Sequence, residues 1–174
     1  MVSCAQRVHS ALAMAGRSIR ISLADQRLDL LEDGSPIMSF PVSTARHGAG
    51  ERIGSECTPR GAHVIHAKIG AGQPDGAAFE GRVPTGECCT ASRFNDEPER
   101  DWILTRILWL AGAEPGRNLG GDVDTLRRYI YIHGCPDALP IGRPGSHGCV
   151  RMRNSDVRTL FDLVETGTPV DIRE

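Results

Sequence analysis

The sequence predicts a mainly β domain with a single C-terminal helix. Short apolar runs with period-two or β-branched character recur from Ser18 to Ile172. The 20 glycines and 11 prolines cut the chain into short pieces joined by turns. One stretch, Val157, Leu160, Phe161 and Val164, instead carries helical spacing. A chain of 174 residues with 40% hydrophobic and 24% charged residues is one ordinary globular domain with room for a core. A net charge of -2 gives no nucleic-acid footprint, and no apolar run approaches the length of a membrane span.

Residues 1–17 read as an N-terminal tail ahead of a domain at 18–174. Ala13-x-Ala15 resembles a signal cleavage site, but the apolar run is short and His9-Ser10 interrupts its lead-in, so no signal peptide is predicted. Ile19, Ile21 and Leu23 alternate with Ser18, Arg20 and Ser22 as a half-buried strand. Gln26 to Leu31 and Ile37 to Val42 give two more strands, joined by an Asp33-Gly34 hairpin turn. Residues 45–61 are Gly-rich and end in a Thr58-Pro59-Arg60-Gly61 turn. Ala62 to Ile69 is the next strand; His63 and His66 fall on opposite faces of it and cannot chelate one ion.

Gly70 to Arg100 has five glycines, three prolines and almost no periodicity, the pattern of a long functional or mobile loop. Cys88-Cys89 lies inside it, and adjacent cysteines rarely bond each other. Trp102 to Leu110 is apolar on nearly both faces and reads as a central strand, with Ile103, Thr105, Ile107 and Trp109 on one side. Asp122 to Arg127 suggests one helical turn, and Tyr129 to Ile132 a further strand. Near the end, Asn154 or Ser155 caps the helix, Gly167 closes it, and Thr168 to Ile172 is the last strand.

Chemistry concentrates between Tyr131 and Arg153. His133 ends a strand, and Cys149 sits in a Gly-flanked turn expected to lie just before the helix. A thiol is a weak nucleophile until a base takes its proton. His133 serves if the Pro/Gly-rich loop at 134–145 folds back about three ångströms from the sulfur. Gly148 allows close backbone approach, and the amides of Gly148 and Cys149, if they precede a helix, can hold a developing oxyanion.

Tyr131-Ile132-His133-Gly134 followed by Ser146-His147-Gly148-Cys149-Val150-Arg151-Met152 resembles the L,D-transpeptidase catalytic domain, the YkuD-like family. The chain matches that family's strand His, its loop length, its Ser/Thr-His-Gly-Cys and its Arg two residues later, and the resemblance spans roughly residues 18–172. It implies a mixed β-sandwich or partly closed barrel, with residues 70–100 as a flap over the active site and one C-terminal helix. It also implies a peptidoglycan L,D-transpeptidase working on stem peptides without a cofactor or metal, inhibited by carbapenem β-lactams. Cys149 would be the nucleophile, His133 the base and then the acid, and the Gly134 carbonyl the group orienting the ring. His147 and Arg151 would shape the site and bind substrate, with a structural hydrogen bond to the turn as the other role for Arg151. Ser146 either braces the turn or reacts.

Three other readings stand beside this one. The same thioester can end in water, which gives a cysteine hydrolase, and the fold can serve as a non-enzymatic wall-binding module. His133-x-Cys135 and His147-x-Cys149 offer four zinc ligands, although with unusual spacing. The family's substrate implies the periplasm or cell envelope, although no export signal is predicted. Cys135 either shares a face with His133, near enough to pair with Cys149, or is an inert loop thiol if Gly134 turns the chain.

Overall fold

The computed structural model describes residues 16–174, so Ala13-x-Ala15, Cys4 and most of the expected tail lie outside the described residues. Strands β1 (Arg17–Ser22), β2 (Arg27–Glu32) and β3 (Ser35–Pro41) form an antiparallel meander. Each starts within two residues of its expected position; side-chain alternation locates β1, whereas β2 is buried from Leu28 to Leu31 and β3 is exposed except at Phe40. Asp33 (φ 49°) and Gly34 (φ 81°) both take left-handed conformations, which a tight hairpin requires.

The remaining strands are β4 (Gly61–Ile69), β5 (Ala77–Glu80), β6 (Val83–Cys88), β7 (Ile103–Gly112), β8 (Tyr131–Gly134), β9 (Val150–Met152) and β10 (Pro169–Arg173). They join the meander in one mixed sheet that does not close. β10 runs parallel to β1 and antiparallel to β4. β7 is the hub: β4 pairs along Ile107–Gly112, β5 at Ile103 and Leu104, and β8 between Leu104 and Trp109. Its expected alternation fails at Thr105, whose φ of 70° marks a bulge between Leu104 and Ile107. Thr105 is turned inward, accepting from the Gly76 amide at 2.9 Å and donating to Asn154 Oδ1 at 2.6 Å.

Residues 70–100 depart most from expectation. The hairpin β5–β6 and a short helix α1 (Ala91–Asp96) replace the structureless loop. β6 is an edge strand exposed along almost its whole length, so it shows no apolar alternation, and it tolerates Pro84 and Gly86. Arg93 and Arg100 on Glu87 and Glu97 tie α1 and the segment after it to the hairpin. The helical turn expected at 122–127 is a 3-10 turn at Gly121–Val123.

Helix α2 (Asn154–Leu163) packs Val157, Leu160 and Phe161 onto the main core, against Ile65, Leu108, Leu110, Ile132, Val150 and Met152. Burying this face holds the short strands β8 and β9 in place. Gly167 does not close the helix, which ends four residues earlier; it sits in the turn before β10 with φ 88°. The N-cap position belongs to Arg153, without a side-chain cap bond. Asn154 instead donates to the Cys135 carbonyl at 3.1 Å, because the Thr105 bulge and that carbonyl give its amide two partners. His63 and His66 do face opposite ways: His63 is buried against the Gly61 carbonyl and Thr125 Oγ1, while His66 meets the Trp109 ring edge-on at 5.2 Å.

Candidate active site

Parallel pairing of β8 with β9 sets His133 opposite Arg151 and Ile132 opposite Val150. Continued by one step, that register brings Cys149 to Tyr131, and Tyr131 N–H donates to Cys149 Sγ at 3.3 Å. Side chains two residues apart share a face, so Tyr131, His133, Cys149 and Arg151 line one side of the pair. The other side carries Ile132, Val150 and Met152 into the core.

Cys149 is half-buried, and its thiol also donates to the Tyr129 carbonyl at 3.5 Å. Burial pushes this thiol up to about 12, while the Tyr131 amide pulls the other way. His133 is fully buried, with Nδ1 2.8 Å from the Gly134 carbonyl. Burial lowers its pKa, opposed by the Asp101 charge and by that carbonyl. Both groups therefore rest uncharged at neutral pH. The expected close contact between sulfur and ring is not made: among the described residues His133 Nε2 has no hydrogen-bond partner, and Sγ is held by backbone.

The Gly148 and Cys149 amides do not precede a helix. β9 intervenes, and α2 starts only at Asn154. The strand was missed because three residues are too few to show a period. The turn is built by Ser146 instead, whose buried hydroxyl donates to the Cys149 carbonyl and accepts from the Gly148 amide at 3.2 Å. Gly148 has φ 131°, and a Cβ there would stand 3.1 Å from Ile130 Cδ1, so the tight turn needs glycine. Gly134 is similarly confined, since a Cβ would fall 2.7 Å from the Leu104 carbonyl oxygen.

Arg151 donates to the Gly145 carbonyl at 3.1 Å and to Asp101 Oδ1 at 2.8 Å. Both residues, with Ser43, Arg46, Arg143 and the exposed His147, line a cavity of about 460 Å³ beside the strand pair. Cys135 is fully buried and its thiol is pushed up to about 11 by that burial. Among the described residues all five cysteines are free, and no three His, Cys, Asp or Glu side chains converge as a metal site.

The sequence matches the L,D-transpeptidase catalytic domain family model over residues 16–172. The chain belongs to this family. Probable L,D-transpeptidase YbiS of Escherichia coli strain K12 is 41% identical over 58 residues, which is 33% of this chain and 19% of that protein. Putative L,D-transpeptidase YkuD of Bacillus subtilis strain 168 is 41% identical over 59 residues, 33% of this chain and 36% of that protein. The matched stretch is thus well under two thirds of either relative's length. L,D-transpeptidase 3 of Mycobacterium tuberculosis, solved with a faropenem-derived adduct, superposes with TM-score 0.56 at 18% identity, covering 91% of this chain and 60% of that one. An L,D-transpeptidase from Mycobacterium smegmatis superposes with TM-score 0.54 at 16% identity, covering 91% and 59%. At these identities the superpositions show a common fold.

Three residues of this L,D-transpeptidase domain make contacts that the sequence did not announce. Thr58, fully buried, donates to the Gly148 carbonyl at 2.9 Å and accepts from the Ala45 amide at 2.9 Å. Its Thr-Pro-x-Gly context announced a turn but not the partner 90 positions away. Asn154 read as a cap, and Asp101, just before β7, carried no signal at all.

Proposed function

We propose that the chain is a peptidoglycan L,D-transpeptidase that acts through a Cys149 thioester. One observation carries the reading: a buried, uncharged His133 with a free Nε2 shares a strand-pair face with a Cys thiol held in a tight turn. In the reaction Sγ leaves Tyr131 N–H for Nε2, which takes its proton. Sγ then adds to the carbonyl joining the third stem residue to the terminal D-Ala. The C–N bond breaks, His133 returns the proton to the leaving D-Ala nitrogen, and a thioester remains. An acceptor amine from a second stem attacks the thioester carbonyl and gives its proton to His133, and the thiol is regenerated when that proton passes to sulfur.

The Gly134 carbonyl holds the ring so that Nε2 faces the nucleophile. The Cys149 amide is the better oxyanion donor, since the Gly148 amide already serves Ser146. Ser146 braces the turn; His147 and Arg151 present the cavity wall to the stem peptide. The substrate places the reaction in the periplasm or cell envelope, and carbapenems would acylate the same sulfur. No helix among the described residues is long and apolar enough to cross a membrane.

Incubation with purified muropeptides tests the assignment. Cross-linked dimers together with released D-Ala are expected, and Cys149→Ala abolishes both. Trimmed monomers without dimers would instead establish the hydrolase. Activity persisting in Cys149→Ala would refute the thioester.

A further inference from the structure

The base in this site has an unfavourable neighbour. Arg151 stands opposite His133 in the β8–β9 register, with its side chain largely buried. When His133 takes the thiol proton it becomes a second cation beside that guanidinium, on a ring that is itself fully buried. An uncompensated imidazolium there would be too costly to form.

The compensation is in reach. Asp101 Oδ1 accepts from Arg151 at 2.8 Å, and Arg151 is fixed on its other nitrogen by the Gly145 carbonyl. Asp101 is itself anchored by its neighbour: Trp102 is buried, and its indole N–H donates to the Glu97 carbonyl at 3.1 Å. The carboxylate is thus set between α1 and β7, on the cavity wall it shares with Arg151 and His147.

We propose that Asp101 is a positioning residue for His133, its carboxylate being the counter-charge that stabilises the imidazolium formed while Cys149 is acylated. The inference rests on the reading of His133 as the base for Cys149. Asp101 acts by its charge, is held in place by the bond from Arg151, and takes up no proton. The charges on His133 come from two directions, Asp101 ahead of β7 favouring the imidazolium and Arg151 on β9 opposing it, with the Gly134 carbonyl supporting the former. The Asp101 side chain is itself 45% exposed; partial desolvation raises its pKa, and the charges of His133, Arg151 and His147 together with the Arg151 hydrogen bond outweigh it and hold the carboxyl below its ordinary value.

The experiment is an NMR titration of the His133 ring in the whole chain, for wild type, Asp101→Asn and Asp101→Glu, with Asp101→Ser as a second uncharged variant. An opposite charge within about 4–6 Å moves a pKa by about one unit or more. The His133 midpoint should therefore fall by about one pH unit in the uncharged variants and return most of the way in Asp101→Glu. The plateau rate of carbapenem acylation, read by mass on Cys149, should fall roughly tenfold in Asp101→Asn and recover in Asp101→Glu. An unchanged midpoint in a folded uncharged variant overturns the proposal, as does an equal fall in Asp101→Glu, which would indicate a packing effect. The titration needs no substrate. A wild type that is not acylated would therefore refute the thioester reading, while the His133 midpoint would still decide whether Asp101 acts on the ring.

Discussion

Replacing Thr58 with valine should cost the protein about 3 kcal/mol. Valine matches threonine in shape, so the change removes a hydroxyl and opens almost no cavity. That hydroxyl makes two bonds in a fully buried setting, donating to the Gly148 carbonyl and accepting from the Ala45 amide, each at 2.9 Å. Gly148 and Ala45 are buried as well, so both groups would be left without water or protein partners. Each stranded group costs roughly 1–3 kcal/mol, and two of them at the lower-middle of that range give about 3 kcal/mol. For a domain of this size that is a fall in Tm of about 6–12 °C. Urea unfolding of wild type, Thr58→Val and Thr58→Ser measures it; the serine variant keeps the hydroxyl and should lose only about 1 kcal/mol. Carbapenem acylation of Thr58→Val should slow more than stability alone requires, because the freed Gly148 carbonyl loosens the turn carrying Cys149. A Thr58→Val protein within about 0.5 kcal/mol of wild type would refute the assignment of these two bonds as support for the turn.

Gly148→Ala should be folded but acylated at least about tenfold more slowly, since a Cβ at φ 131° pushes on Ile130 and shifts Cys149; mass-resolved acylation kinetics checks it. Brief alkylation of native protein should label exposed Cys88 before fully buried Cys135, and mild oxidant should not protect Cys149 through Cys135; peptide mapping of wild type and Cys135→Ser reads both. Stability should fall at both ends of the pH scale. His133 has a folded pKa below its ordinary value, so the unfolded chain takes up its proton first and stability drops as pH falls below about 6.5. Cys149 and Cys135 have folded pKa values raised to about 12 and about 11, so the unfolded chain loses their protons first and stability drops as pH rises past about 9. Denaturant midpoints across pH, with Cys149→Ala flattening the alkaline fall, test the assignment.

The sequence by itself determined the elements whose signal is local. Ile19 and Ile21 announce β1 because they are buried in the core while Ser18, Arg20 and Ser22, which alternate with them, are only half-buried. Val157, Leu160 and Phe161 announce α2 for the same reason at helical period. The His133 to Cys149 motif was legible through its likeness to the family pattern, with prolines fixing φ and glycines permitting tight turns around it. Tertiary structure alone decided the rest. β5 and β6 exist because β7 offers Leu104 and Ile103 as partners, and an exposed edge hairpin needs no apolar pattern of its own. Cys149 is followed by a strand rather than a helix because β8 lies alongside to pair with Val150–Met152. Thr58 reaches Gly148, Asn154 reaches Cys135 and Arg151 reaches Asp101 by hydrogen bonds between residues 19 to 90 positions apart. Periodicity records how a residue sits relative to its neighbours in the chain; it carries no record of a partner that only the folded sheet brings within hydrogen-bonding distance.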